Sequence, residues 1–360
     1  WFFRQWFTTT WTLDYGISNL HYEKAMVEKQ HGYMTEITLK NYGRCLSPLD
    51  VALYFQDGSA DTVEFSKSIW ENGQAKYDTS VFFPNKPYKA ILNPDLRLAD
   101  INRLNNCSGL PKIHWQFVVP RFVYRYINVQ DYVESYTIAH KPSFWYNSID
   151  GLKFGYHANG AYLDISKKLS LNMLYGFQSN KTDYEVSYDD RIYSLNPEVH
   201  YYAKSRELEG RGQHEIGLNY GSDSFGDAGT VADLSLKRTY LYNSKYLSYY
   251  SWSKGSVNTV DLSLGRTIEI ASSEIVLQAG MSTAAPGSDY DFTRIAIGAE
   301  YNVRDSFSGR SAILLKAGRA DGDVPFQRRF FLSSADPYDI WDAPLYRSRG
   351  TLPEKAINNG

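Results

Sequence analysis

Two stretches decide the fold: Val260-Asp261-Leu262-Ser263-Leu264-Gly265 and Ile275-Val276-Leu277-Gln278-Ala279-Gly280-Met281. Val260, Leu262 and Leu264 alternate with Asp261, Ser263 and Gly265. Ile275, Leu277, Ala279 and Met281 alternate with Val276, Gln278 and Gly280. A period of two sends the two sets to opposite faces of a strand. The same rhythm runs through Leu152, Phe154 and Tyr156, through Leu169 to Phe177, and through Ile295, Ile297, Ala299 and Tyr301. These runs are roughly 9–13 residues long, against ~5–6 for an ordinary globular strand and ~9–11 for a tilted strand that crosses a bilayer.

The links between the runs suit antiparallel hairpins. Asn196-Pro197, Asp164-Ile165-Ser166 and Ala271-Ser272-Ser273 are short, whereas 222–229, 286–291 and 305–309 are longer and polar. Short turns on one side and longer loops on the other are the pattern of outer-membrane barrels. Tyr240, Tyr242, Tyr246, Tyr249, Tyr250 and Trp252 suit an interfacial girdle. Lys, Arg, Asp and Gly on the alternate positions suit a wet interior. A soluble sandwich also buries every second residue, so alternation by itself leaves that reading open. Strand length, the aromatic cluster and the polar second face favour an antiparallel barrel of ten to twelve strands, ten or eleven of them between 151 and 320.

Composition agrees with this reading. The chain has 360 residues, with 38 Lys+Arg against 40 Asp+Glu for a formal net charge of −2. That balance argues against nucleic acid as a partner, whose binding rests on a basic surface. No stretch approaches the ~18–20 apolar residues of a transmembrane helix, which excludes a helical membrane protein and leaves a membrane barrel open. Cys45 and Cys107 are too few for a disulfide framework; one disulfide in an oxidising compartment and two unrelated thiols both remain open.

Residues 10–108 read differently. Runs at 12–17, 33–39, 49–55, 77–83 and 88–92 are short and broken by turns, with Asp57-Gly58 a hairpin signal. They predict a small β-sandwich. A short helix from Leu96 to Leu104, capped by Asp95, is expected after Pro94. Residues 109–148 form a connector too rich in large aromatics to be a flexible linker, read as a helix plus an extended segment, and 149–360 hold the barrel. Trp1 to Phe7 reads as one face of a helix without its start, a remnant (1–9) of a preceding region. Ala356 to Gly360 is loop-like, so the barrel reads as truncated and incomplete.

No chemistry-bearing motif emerges. The one His-Glu pair, His214-Glu215, lacks the second His of a zinc hydrolase helix and sits in a period-two run. Asp189-Asp190, Asp321/Asp323 and Asp336/Asp339/Asp342 are carboxylate clusters. The last could offer loop oxygens to Ca²⁺ but lacks the register of a dedicated loop. The aromatics of 111–146 could form a sugar or peptide platform, with packing the plainer role. No catalytic, cofactor-binding or metal-binding residue is assigned.

Two resemblances add to this. Trp1-Phe2-Phe3-Arg4-Gln5-Trp6-Phe7, the strands that follow, and Ile91-Leu92-Asn93-Pro94-Asp95 through Asn105-Asn106 resemble the post-catalytic β-sandwich of aminopeptidase N-like zinc metallopeptidases. Asn93 stands where that family's turn usually has Asp. Trp145-Tyr146-Asn147-Ser148-Ile149-Asp150-Gly151-Leu152-Lys153-Phe154-Gly155 and Pro325-Phe326-Gln327-Arg328-Arg329-Phe330-Phe331-Leu332 resemble bacterial surface-antigen-type outer-membrane barrels. Together they imply the non-catalytic part of an outer-membrane-tethered, zinc aminopeptidase-like protein that cleaves peptides, with its sandwich in the periplasm. The zinc would belong to a missing catalytic domain, and the partners would be the lipid bilayer, that domain and peptides. A non-enzymatic outer-membrane assembly or transport barrel with a client-binding domain is the alternative reading. A soluble all-β carbohydrate-binding protein is a third.

Overall fold

A computed structural model describes residues 1–118, 134–163, 165–221, 229–247, 252–270, 273–304, 310–331 and 336–348. The chain is all-β apart from short helical pieces. After α1 (Phe2–Phe7) come β1 (Tyr15–Val27), β2 (Gln30–Asn41), β3 (Leu49–Phe55), β4 (Ala60–Phe65), β5 (Lys76–Phe83) and β6 (Pro87–Leu92). They form two three-stranded antiparallel sheets, β1-β2-β5 and β4-β3-β6. Tyr15, Ile37 and Leu39 from the first sheet and Val51, Leu53, Phe55, Ala90 and Leu92 from the second meet in one buried cluster. Trp70 stacks on Tyr15 within it, with ring centroids 5.2 Å apart. The Asp57-Gly58 turn joins β3 to β4, as its sequence predicts, with Gly58 at φ +86°. Cys45 is buried and Cys107 partly so, and both are free thiols.

The helix expected over Leu96–Leu104 is absent; only a 3₁₀ turn at Arg103–Asn105 forms there. Asn93 and Leu96 both adopt positive φ. The Asn93 side-chain oxygen accepts from Arg97 N–H at 2.9 Å and Leu98 N–H at 3.3 Å. This local bonding supplies partners that a helix would otherwise provide.

The third and largest sheet has twelve strands among the described residues: β7 (Lys112–Phe117), β8 (Ser135–Asn147), β9 (Gly151–Tyr162), β10 (Ser166–Gly176), β11 (Lys181–Ile192), β12 (Asn196–Leu208), β13 (Arg211–Gly221), β14 (Thr230–Leu241), β15 (Gly255–Ile270), β16 (Ser273–Ala284), β17 (Phe292–Arg304) and β18 (Arg310–Gly322). They neighbour one another in sequence order, antiparallel throughout except for the parallel pair β7–β8. Ten of them begin between 151 and 320. The sheet begins inside the stretch expected to be a connector. Phe144 and Tyr146 alternate there with Trp145 and Asn147, so the described part of 109–148 is strand and not helix. β7 and β18 each have one neighbour, leaving the sheet open. Strand direction brings the strand ends that flank 163–165, 193–195, 222–229, 271–272 and 305–309 to one end of the sheet, and those that flank 148–150, 177–180, 209–210, 242–254 and 285–291 to the other. Each end therefore carries both short and long connections, not one kind each.

The two faces of the sheet differ in chemistry. Leu152, Phe154, Ile216, Leu218, Leu234, Leu236, Leu262, Leu264, Leu277, Met281, Ile295 and Ile297 are all exposed. The pairing puts Ile216 opposite Leu236, Leu234 opposite Leu262, Leu262 opposite Met281, and Met281 opposite Ile295, so these side chains form one continuous apolar face. The opposite face carries Lys153, Asp183, Gln213, Glu215, Ser235, Thr239, Thr259 and Ser282, all buried. Hydrophobic residues point out and polar ones in, the reverse of a water-soluble domain. Tight glycines set the strand approach. A Cβ on Gly155 would lie 1.7 Å from the Met173 carbonyl oxygen, whereas at Gly265 the nearest atom is 3.8 Å away. Gly155→Ala should therefore cost about 1–3 kcal/mol, as overpacking does, and Gly265→Ala should be near neutral, read by urea unfolding followed through tryptophan fluorescence.

Candidate functional site: a buried charge network on the polar face

Part of the polar face is covered by the chain's own continuation. After β18, the segment through Arg328 and then α2 (Pro337–Asp342) and α3 (Pro344–Arg347) lie against it. Asp336 caps α2 by accepting from Tyr338 N–H at 2.8 Å. Trp341 is fully buried against Leu208 and Trp252, and its indole N–H donates to the Leu208 carbonyl at 3.3 Å. The Arg206 guanidinium lies 3.9 Å above the Trp341 ring centroid and reaches Asp342 at 2.5 Å.

The densest polar cluster lies where the 148–150 and 209–210 turns meet this segment. Lys153 is 1 % exposed. Its ammonium contacts Asp150 at 2.6 Å, Glu209 at 3.2 Å and also Asp183. Asn147 organises the turn: its side-chain oxygen accepts from Asp150 N–H at 2.7 Å and Ile149 N–H at 2.9 Å. Its amide group donates to Asp150 at 2.8 Å and Glu209 at 2.9 Å. Tyr246 Oη donates to Asp150 at 2.5 Å. Ser348 Oγ donates to Glu209 at 2.8 Å and accepts from the Trp145 indole at 2.5 Å. Burial pushes the Asp150 carboxyl up, but donors from Lys153, Ser179, Tyr246 and Asn147 outweigh it and hold the group below its ordinary value. Charges this deep persist only when paired and hydrogen-bonded, and this network supplies both.

A second cluster continues along the same face. Lys237 pairs with Glu215 at 3.2 Å, and Arg328 bonds Asp261 at 3.2 Å and Thr259 at 2.8 Å. Beside it lies a cavity of about 540 Å³ whose walls include Glu185, Lys204, Arg206, Lys237, Tyr338 and Arg347. Both signs of charge line it, and Lys237 pairs there with Glu215 and Arg206 with Asp342.

The sequence-level candidates do not converge. His214 bonds Ser205 and Tyr240 on the exposed face, whereas Glu215, its neighbour on β13, bonds Gln213 and Lys237 on the other. Asp189 bonds His200, Asp190 pairs with Lys167, and Asp321 pairs with Arg319. Asp336 and Asp342 are taken by the helix cap and by Arg206. Among the described residues no group of three His, Cys, Asp or Glu side chains could hold a metal ion. The girdle reading of 240–252 needs correction. Tyr242 is exposed, but Tyr246 and Trp252 turn inward to Asp150 and to Trp341. The cause is that they sit on the 242–254 link and not on a strand, so alternation does not govern them. Tyr249 and Tyr250 lie outside the described residues. Exposed aromatics on the strands include Trp115, Phe117, Phe144, Tyr146 and Phe154 on β7–β9 and Tyr201, Tyr220 and Tyr301 farther along the sheet. Phe122, Tyr124, Tyr126 and Tyr132 lie outside the described residues. Comparison with protein-family models and with curated proteins finds no match to this chain.

Proposed function

We propose that the twelve-stranded sheet is the lipid-embedded wall of an outer-membrane-type β-barrel and that residues 10–108 form a periplasmic β-sandwich spacer. One observation carries this reading: a continuous exposed apolar face backed by a buried, ion-paired polar face. The six steps from Ile275 to Met281 span about 20 Å of strand at ~3.3 Å per residue, comparable with the ~25 Å apolar band of such barrels. Closure in lipid requires a partner for the free edges of β7 and β18, because unpaired backbone groups are costly there. A soluble carbohydrate-binding protein would not carry an apolar face of this extent, since exposed patches on soluble monomers rarely exceed a few hundred Å².

Within this reading the chain is the non-catalytic, anchoring part of a zinc aminopeptidase-like protein. The resemblances in residues 1–106 and 145–155 support that step. Zinc and peptide substrate would belong to a catalytic domain outside these residues. A non-enzymatic assembly or transport barrel shares the anchor and differs in what the spacer carries. A His-Glu-x-x-His segment with a downstream Glu upstream of Trp1 favours the peptidase; repeated small α/β modules favour assembly. Cell fractionation tests the anchor: the reading predicts recovery with the outer membrane, resistant to carbonate and salt washing, and recovery in the soluble periplasm overturns it.

A further inference from the structure

We propose that the cavity where the end of β6, the segment 93–107 and the residues leading into β7 meet is a binding site for a short aliphatic carboxylate. Asn93 and Pro94 end β6, and the chain then returns beside that strand. Leu92 N–H donates to the Asn106 carbonyl at 2.7 Å, Ser108 N–H donates to the Ala90 carbonyl at 2.9 Å, and Ile91 forms a bridge with Cys107. The cavity left by this return measures about 60 Å³, several times the ~10–15 Å³ that one water needs. Ile91, Leu92, Leu96 and Leu110 give it apolar walls. Leu96 is 45 % exposed and Leu110 93 % exposed, so the apolar lining continues to the surface.

Two buried donors at this cavity lack an acceptor. Asn93 is a wall of the cavity and is 3 % exposed. Its side-chain oxygen is taken by Arg97 and Leu98 N–H, and its amide nitrogen has no hydrogen-bond partner among the described residues. Arg103, a second wall, donates from Nη2 to the Leu98 carbonyl at 3.2 Å, whereas its buried Nε has no partner among the described residues. Buried donors in this state cost free energy until an acceptor reaches them. Charge points the same way. Lys89, Arg103 and Lys112 line the cavity against one carboxylate, Glu134, which pairs with Lys112 at 3.5 Å. Asp100 acts on Arg103 from outside these walls and already accepts from Tyr15 N–H at 3.2 Å and Asn102 N–H at 2.9 Å. The complement of this site is an anionic oxygen acceptor with an aliphatic chain behind it. A guanidinium and an amide N–H suit a carboxylate head, and the apolar walls suit a chain of a few carbons.

Cys107 lines the same cavity and is partly exposed, whereas Cys45 is buried in the core of the N-terminal unit. Alkylation of the full chain in detergent by iodoacetamide therefore reads occupancy at Cys107 and folding at Cys45. At matched ionic strength, sodium butyrate should slow Cys107 alkylation saturably and leave Cys45 unreactive. 1-Butanol has the same chain without the carboxylate and should need roughly tenfold more for half protection. Asn93→Asp keeps the oxygen that Arg97 and Leu98 bind and turns the unpartnered donor into an acceptor, so the butyrate needed for half protection should rise by roughly tenfold or more. Should Asn93→Asp expose Cys45, Arg103→Gln carries the same prediction. Absence of saturable protection by butyrate overturns the proposal. Equal protection by 1-butanol also overturns it, because the cavity is then only an apolar hollow. So does half protection that stays unchanged in a variant whose Cys45 remains unreactive.

Discussion

Lys153→Met is expected to destabilise the large sheet by about 3–5 kcal/mol, the cost of removing one partner from a buried ion cluster. Three carboxylates, Asp150, Asp183 and Glu209, converge on this one ammonium, which is 1 % exposed. Methionine fills similar volume, so the loss comes from uncompensated charge and not from a cavity. Denaturant unfolding in detergent, followed by tryptophan fluorescence, reads the effect. The double variant Lys153→Met/Asp183→Asn should recover part of the loss, because residues in one network couple. Lys24→Met, on the exposed tip of the β1–β2 hairpin, should stay within about 0.5 kcal/mol. Equal losses at Lys153 and Lys24 would remove the network from the account.

The second large effect concerns the apolar face. Ile297 lies in the middle of β17 and is 59 % exposed. On a water-facing surface, Ile297→Arg would be neutral. On a lipid-facing surface, an arginine near the bilayer midplane costs roughly 2–4 kcal/mol. The account predicts that Ile297→Arg lowers the yield of membrane-inserted protein and shifts its unfolding to lower denaturant. Ser263→Arg, an exposed position on the polar face opposite Gly280, should change neither measurably. If the two variants behave alike, the outward face does not meet lipid.

Much of this architecture can be read directly from period-two patterning. The alternation at 260–265, 275–281 and 295–301 specifies both the strands and the face each residue takes, and the observed register keeps Leu262, Met281 and Ile295 on one face. The Asp57-Gly58 turn was equally legible, since few residues favour the positive φ it needs. What alternation does not encode is where non-strand segments go. Tyr246 and Trp252 turn inward because their link folds over the sheet, and Leu96 fails to enter a helix because Asn93 bonds the following backbone. The charge network has no local signature in the sequence. Lys153, Asp183 and Glu209 lie on different strands and turns, and no spacing in the chain marks their meeting. A faint signal existed in Asn147-x-x-Asp150-x-x-Lys153, where an Asx turn precedes a lysine on the polar face. The segment 336–348 carries no periodic pattern, and its docking depends on Trp341, Asp342 and Ser348 finding partners far away in sequence.

The central claim is that one face of the sheet meets lipid and the other meets water or the chain's own polar cover. Single spin labels placed at each residue from Val260 to Arg266, in a chain with Cys45 and Cys107 replaced by serine and reconstituted in bilayers, test it most directly. Accessibility to oxygen should peak at Val260, Leu262 and Leu264. Accessibility to a water-soluble nickel chelate should be highest at Ser263 and Gly265, out of phase by one residue. Equal accessibility to the chelate on both sets of positions would contradict the account.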